Sequence, residues 1–193
     1  MALPLGILLG LAIAVLYSFK HRWLNIALLV YIDLFRSFPV VVLLILIYFG
    51  LPFLGFTLGG FTAAVLAIVL NNSGYFGEIF RAGILSVPRG QAEAAATVGL
   101  TGVRAAVLIT LPQALRVALP AAGGQYQTLA KASSLAAAIG YPDIMQIGGT
   151  VASQTSQALE AMTLVVVLYA AINLLIALAV GLANRRLLAR EGR

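Results

Sequence analysis

Few residues in this chain could take part in chemistry: of 193, only 9% are charged and 62% are hydrophobic. Cysteine is absent and His21 is the only histidine, which excludes a disulfide, a cysteine nucleophile and a Cys/His metal cluster. A serine hydrolase needs a base beside its serine, and His21 stands between Lys20 and Arg22 at the end of an apolar run, as a neighbour of cations. No Gly-x-x-x-x-Gly-Lys-Ser/Thr occurs and no glycine precedes Lys131, so the phosphate-cradling loop of an ATPase is missing. What remains are polar side chains set within apolar stretches: Asn71, Asn72, Gln125, Lys131 and Glu160. Their chemistry is recognition, since polar groups inside membrane helices either bond neighbouring helices or line a pathway.

The elements that must position them follow from the composition. A soluble domain is about 25% charged, so a cytosolic globular protein is excluded, and the length holds about four to six membrane helices of ~20 residues. The pattern predicts an all-α integral membrane domain of five spans, at about 2–19, 23–50, 60–80, 112–140 and 161–184, with one substantial loop at 81–111. Positive charge follows the first apolar run instead of preceding it, which is the reverse of a secretory signal peptide. In the second span Asp33 and Arg36 stand three apart, where they can pair, and Pro39 either kinks the helix or marks its true start.

Alternating the span ends between two sides places Lys20, Arg22, Arg36, the 81–111 loop and the Arg185, Arg186, Arg190 and Arg193 tail on one side. The other side receives no Lys or Arg, so the positive-inside rule puts the N-terminus outside and the loop and C-terminus in the cytoplasm. The net charge of +6 is thereby a topology signal and not a nucleic-acid footprint. Lys131 is then the basic residue left within a span, where it lines the pathway, snorkels to the interface or pairs with another helix. Asn71 and Asn72, about 17 Å into the third span, fall near mid-membrane. Glu160 meets either a substrate ammonium group or water.

Within the loop, Ser86 and Pro88 suit a helix start, Arg89 to Val98 reads as a short helix, and Gly99 suits its left-handed end. Thr101 can cap a second short helix closing before Pro112. Two short helices joined at a glycine make a projecting knob.

Glu93-Ala94-Ala95, three residues, Gly99, nine residues and Ile109-Thr110-Leu111-Pro112 resemble the cytoplasmic loop signature of bacterial ABC importer permeases, without a gap. The flanks, Phe80-Arg81-Ala82-Gly83 to Gln91, Leu111-Pro112-Gln113 to Pro120 and Ile47-Tyr48-Phe49-Gly50-Leu51-Pro52, look like the polar amino-acid branch. The resemblance covers about Lys20 to Leu187. It implies a permease half in the bacterial inner membrane, dimerising with itself or a paralogue over two cytoplasmic ATPase subunits that bind ATP and magnesium, and served by an extracytoplasmic binding protein. It further implies that Arg89, Gly90, Gln91, Glu93, Ala94, Ala95 and Gly99 dock the ATPase, the alanines keeping the helix slim. The chain itself would bind no cofactor or metal and catalyse nothing.

Two positions depart from the branch. Arg36-Ser37-Phe38-Pro39 stands where Arg-Gly-Thr-Pro is common, and Ala132 follows Lys131 where an acidic residue is common. The family's first span also begins ahead of the point matching Met1, which implies a missing leading segment or a late start. The rival reading on composition alone is an ion-coupled secondary transporter or channel subunit, since polar residues in spans suit any transporter.

Overall fold

The computed structural model describes residues 1–19 and 21–189, so Lys20, Arg190 and Arg193 of the charge count lie outside the described residues, as do the side chains of Arg185 and Arg186. Among the described residues every regular element is helical. The centre is α4, Gly60–Ser86, whose buried face runs from Ala63 through Asn71, Asn72 and Phe76 to Gly83. In lipid, helices associate through close packing and interhelical hydrogen bonds, so small residues belong at the contacts. The N-terminal helix α1, Ala2–Ser18, meets this rule at Gly10: an added Cβ would overlap Phe76 Cβ and stand 2.8 Å from the Gly77 nitrogen.

The predicted second span is instead two helices. Following α2, Arg22–Ser37, the chain turns by 97° into a helical stretch that begins with α3, Val40–Ile45, and continues through a π-helical Leu46–Gly50 and a 3-10 turn to Leu54. Pro39 is the cause: it has no N–H to continue the ladder, and it forces Phe38 to an extended ψ of 128°. The expected Asp33–Arg36 pair does not form. Arg36 lies 5.5 Å over the Tyr75 ring, while the Asp33 carbonyl accepts from Ser37 Oγ at 2.7 Å.

The loop is shorter than predicted at both ends. Helix α4 absorbs Arg81 and continues to Ser86, whose hydroxyl donates back to the Gly83 carbonyl at 2.7 Å instead of capping the next helix. That next helix is α5, Arg89–Thr97, with Pro88 at its N-cap position. Beyond it, α6 (Gly102–Ala105), a π-helical Ala106–Thr110, α7 (Leu111–Ala132) and a 3-10 segment Ser133–Ile139 run on as one apolar helix of 38 residues. Pro112 does not end it, because it falls in the first turn of α7, directly after the π turn, where a proline is tolerated. Thr101 makes no side-chain cap. His21, by contrast, caps α2, its Nδ1 accepting from the Leu24 N–H at 3.4 Å.

The chain then forms α8, Ile144–Thr155, in a stretch predicted to be loop, and α9, Ala158–Ala189, longer than the predicted final span. Three helices are long and apolar enough to cross a membrane, and a fourth span results if the bent pair counts as one. At 17 residues α1 falls short of that length, so the structure does not reproduce the count of five. Two apolar cores flank a polar belt on α4. One gathers Leu43, Leu44 and Ile47 with Ala63, Ala67 and Ile139; the other gathers Ala14, Phe76 and Phe80 with Ala118 and Ala122. The outer leucines and valines of α9 remain exposed, as a lipid-facing helix requires.

Candidate functional site

The polar belt consists of Asn71, Asn72 and Ser73, all buried. Breaking the helix at Pro39 leaves carbonyls at the end of α2 without partners. Asn71 supplies them: its Nδ2 donates to Phe35 O at 2.8 Å and to Phe38 O at 3.1 Å. Asn72 Nδ2 donates to Ile68 O at 3.0 Å, and its Oδ1 accepts from Gln125 Nε2 at 2.8 Å, joining α4 to α7. Ser73 Oγ lies 2.7 Å from the Tyr31 hydroxyl of α2. The two asparagines thus bond neighbouring helices, one of the two roles open to polar residues in membrane helices.

They also line a cleft of about 310 Å³ between the elbow at Pro39, α4 and α7. Its walls are Arg36 to Val40, then Asn71, Asn72 and Tyr75, then Gln125, Thr128 and Ala132. That volume lies at the small end of ligand pockets, which span about 300–1,000 Å³. Asn71 stands 11 residues beyond Gly60, about 17 Å along the axis, so the cleft opens near the middle of α4. The sequence reading missed Arg36, Tyr75 and Thr128. Helical spacing could have found two of them, since Tyr75 is one turn beyond Asn71 and Asn72, and Thr128 one turn beyond Gln125. Arg36 had been counted with the basic loop residues; its place beside Tyr75 puts it on the wall of the cleft.

Lys131 and Glu160 do not join this cleft. Lys131 is exposed in the last turn of α7, and its carbonyl accepts from Ser134 Oγ at 2.7 Å. Glu160 is exposed in the first turn of α9, where a negative charge complements the helix dipole.

At the other candidate site, α5 stands almost free of its own chain. Arg89, Gly90, Gln91, Glu93 and Ala94 are exposed, and Val98 is 73% exposed. Ala95 is 4% exposed, so it anchors the helix and is not part of a presented surface. Gln113 Nε2 of α7 donates to Gln91 Oε1 at 3.3 Å as a second tether. The helix stops in a Schellman motif: Leu100 N–H donates to Ala95 O at 2.9 Å and Gly99 N–H to Ala96 O at 3.1 Å. Gly99 has φ +79°, as its place in the sequence predicted. No group of three or more His, Cys, Asp or Glu that could hold a metal is found among the described residues.

Comparison with known proteins places this geometry. The chain is 34% identical over 189 residues to the probable glutamine ABC transporter permease protein GlnM of Bacillus subtilis, covering 96% of this chain and 86% of that one. It is 44% identical over 126 residues to the putative amino-acid ABC transporter permease protein YhdX of Escherichia coli, covering 65% of this chain and 32% of that one. The fold matches a crystal structure of an amino acid ABC transporter with histidines at a TM-score of 0.87 and 34% identity, over 96% of this chain and 86% of that one. The sequence profile of the binding-protein-dependent transport system inner membrane components matches residues 2–189, and the chain belongs to that family.

Proposed function

We propose that this chain is the permease subunit of an ATP-driven importer that carries a small polar solute, an amino acid, across the bacterial inner membrane, with its N-terminus outside and α5 in the cytoplasm. It pairs with itself or a second permease subunit over two ATPase subunits, which bind ATP and magnesium, and receives its solute from an extracytoplasmic binding protein. The chain does no chemistry of its own. The exposed, rigidly terminated α5 carries this reading. A nine-residue helix held by Ala95 and by one side-chain tether from α7 has a purpose as a plug for a partner's groove. Arg89, Gly90, Gln91, Glu93 and Ala94 form its presented face and Gly99 fixes its end. Beyond the turn at Gly99, α6 and α7 run on as one helix, and with Gln113 of α7 tethered to Gln91 a push on α5 reaches the Gln125–Asn72 contact through that helix. Asn71, Asn72 and Gln125 frame the pathway around which the two halves move.

Purification followed by reconstitution tests the reading. The chain should co-purify with a cytoplasmic ATPase, and proteoliposomes of that complex with the binding protein should accumulate solute only when ATP is supplied. Transport by the chain alone, driven by an ion gradient, would establish the secondary-carrier reading in its place.

A further inference from the structure

The chain between α5 and α7 is built to yield. Gly99 and Gly102 both hold left-handed angles, at φ +79° and +54°, so the link from α5 into α6 consists of two closely spaced glycine bends. The turn that follows, Ala106–Thr110, is π-helical, with the Leu111 N–H donating back to Ala106 O, a rare departure from the α ladder. Pro112 comes next and gives that ladder no N–H. Beside the turn lies a void of about 40 Å³, walled by Val15 of α1, Ile84 of α4, and Val107 and Thr110. A turn beside a void can shift without displacing packed side chains, which close packing forbids elsewhere. Helix α5, whose buried residue is Ala95, packs against this same turn. Just beyond Pro112, by contrast, α7 backs closely onto α4: a Cβ added at Gly83 would stand 2.6 Å from the Ala114 carbonyl oxygen.

Gln113 spans the yielding stretch from its close-packed end. Its Nε2 donates to Gln91 Oε1 of α5 at 3.3 Å and to Ile109 O within the π turn at 3.0 Å, so both hydrogens of one amide are committed. One side chain of α7 thereby holds the exposed helix and the irregular turn at once. We infer that Gln113 is the positioning residue that stiffens this joint, so that a displacement of α5 moves α7 instead of being absorbed at the two glycines and the π turn. Without its two bonds the ATPase would still dock and hydrolyse ATP, and the stroke would be lost between α5 and α7. The inference rests on the permease reading above and adds to it the residue on which coupling depends.

The test uses proteoliposomes of the permease–ATPase complex with its binding protein, supplied with ATP and a mixture of radiolabelled L-amino acids. Phosphate released and label accumulated are measured in the same vesicles. Uptake per ATP hydrolysed is the readout, because a purely structural role lowers both rates with the amount of complex and leaves their ratio alone. Gln113→Met, of similar length and without a donor, should keep the ATPase on purification and lower the ratio about fivefold or more, the scale set by losing two neutral hydrogen bonds. Gln113→Lys, which keeps donors for both acceptors, should stay within about twofold of wild type. Should Gln113→Met assemble too poorly to assay, Gln113→Glu, an acceptor only when ionised, carries the same expectation. An unchanged ratio in Gln113→Met, or in Gln113→Glu in its place, overturns the proposal, as does a ratio in Gln113→Lys as low as theirs. Loss of the co-purifying ATPase from a folded Gln113→Met also overturns it, since Gln113 would then belong to the docking surface. Those outcomes leave the permease reading standing, whereas absence of ATP-dependent uptake in the wild type sinks that reading and the inference with it.

Discussion

Gln125 Nε2 donates to Asn72 Oδ1 at 2.8 Å, a bond that closes 53 residues of sequence and ties α7 to α4 at the level of the cleft. Interhelical hydrogen bonds of this type contribute on average about 0.6 kcal/mol and at most about 1.7 kcal/mol within membranes. Gln125→Leu should lower stability by that order in a denaturing-detergent titration. Asn72→Leu should cost a similar amount, and the double variant less than the sum of the two. Strict additivity would mean that the pair carries no coupling.

Asn71→Leu should be the more damaging substitution at the belt. It strips the Phe35 and Phe38 carbonyls of their partner, and each buried group left unsatisfied costs about 1–3 kcal/mol. In the same titration Asn71→Leu should unfold well before Gln125→Leu; the opposite order would refute the capping role.

Gly99→Val should abolish ATP-dependent uptake while the permease still inserts. Nothing lies within 4 Å of the position, so the cost is conformational: a β-branched residue at φ +79° is strained by about 1–2 kcal/mol or more. Glu93→Lys should reach the same end by charge reversal on the exposed face. Both should lose the ATPase on purification, and wild-type transport in the double variant would sink the docking assignment.

Lys131→Met should leave uptake per assembled complex within about twofold of wild type. The side chain is exposed and lies off the cleft walls, so removing its charge does not touch the pathway. A clear fall in uptake normalised to co-purified ATPase would return Lys131 to the pathway.

A cysteine placed at Gln91 should label only from the cytoplasmic side and one at Gly149 only from outside. Gln91 starts the exposed α5, and Gly149 lies in α8, in a stretch with no Lys or Arg. Labelling of both from one face would break the proposed topology.

Local signals made α5 and Gly99 legible in the sequence, because a proline at the start, a helix-forming run and a left-handed glycine act within a dozen residues. The asparagines were legible as polar intrusions in an apolar run. The elbow was half legible: Pro39 announced a break, but a 97° turn and the Asn71 bonds that hold it depend on residues more than thirty positions away. Arg36 went unread as a cleft residue for the same reason, since its contact there is with Tyr75, on another helix. Ser86 and Thr101 looked like caps by type, yet α4 takes in the first as its last residue and the second makes no capping bond. Pro112 looked like a stop, and the π turn that carries the helix through it leaves no trace in the hydrophobic pattern.

The elbow also sets a timetable for synthesis. Phe38 leaves the ribosome 33 residues ahead of Asn71, an interval of roughly 2–7 s at 5–20 residues per second. Throughout it the carbonyls at the end of α2 have no side chain to answer them, and hydrocarbon tolerates no such group without a cost of several kcal/mol. The bent pair therefore reaches its full stability in lipid only once α4 is present.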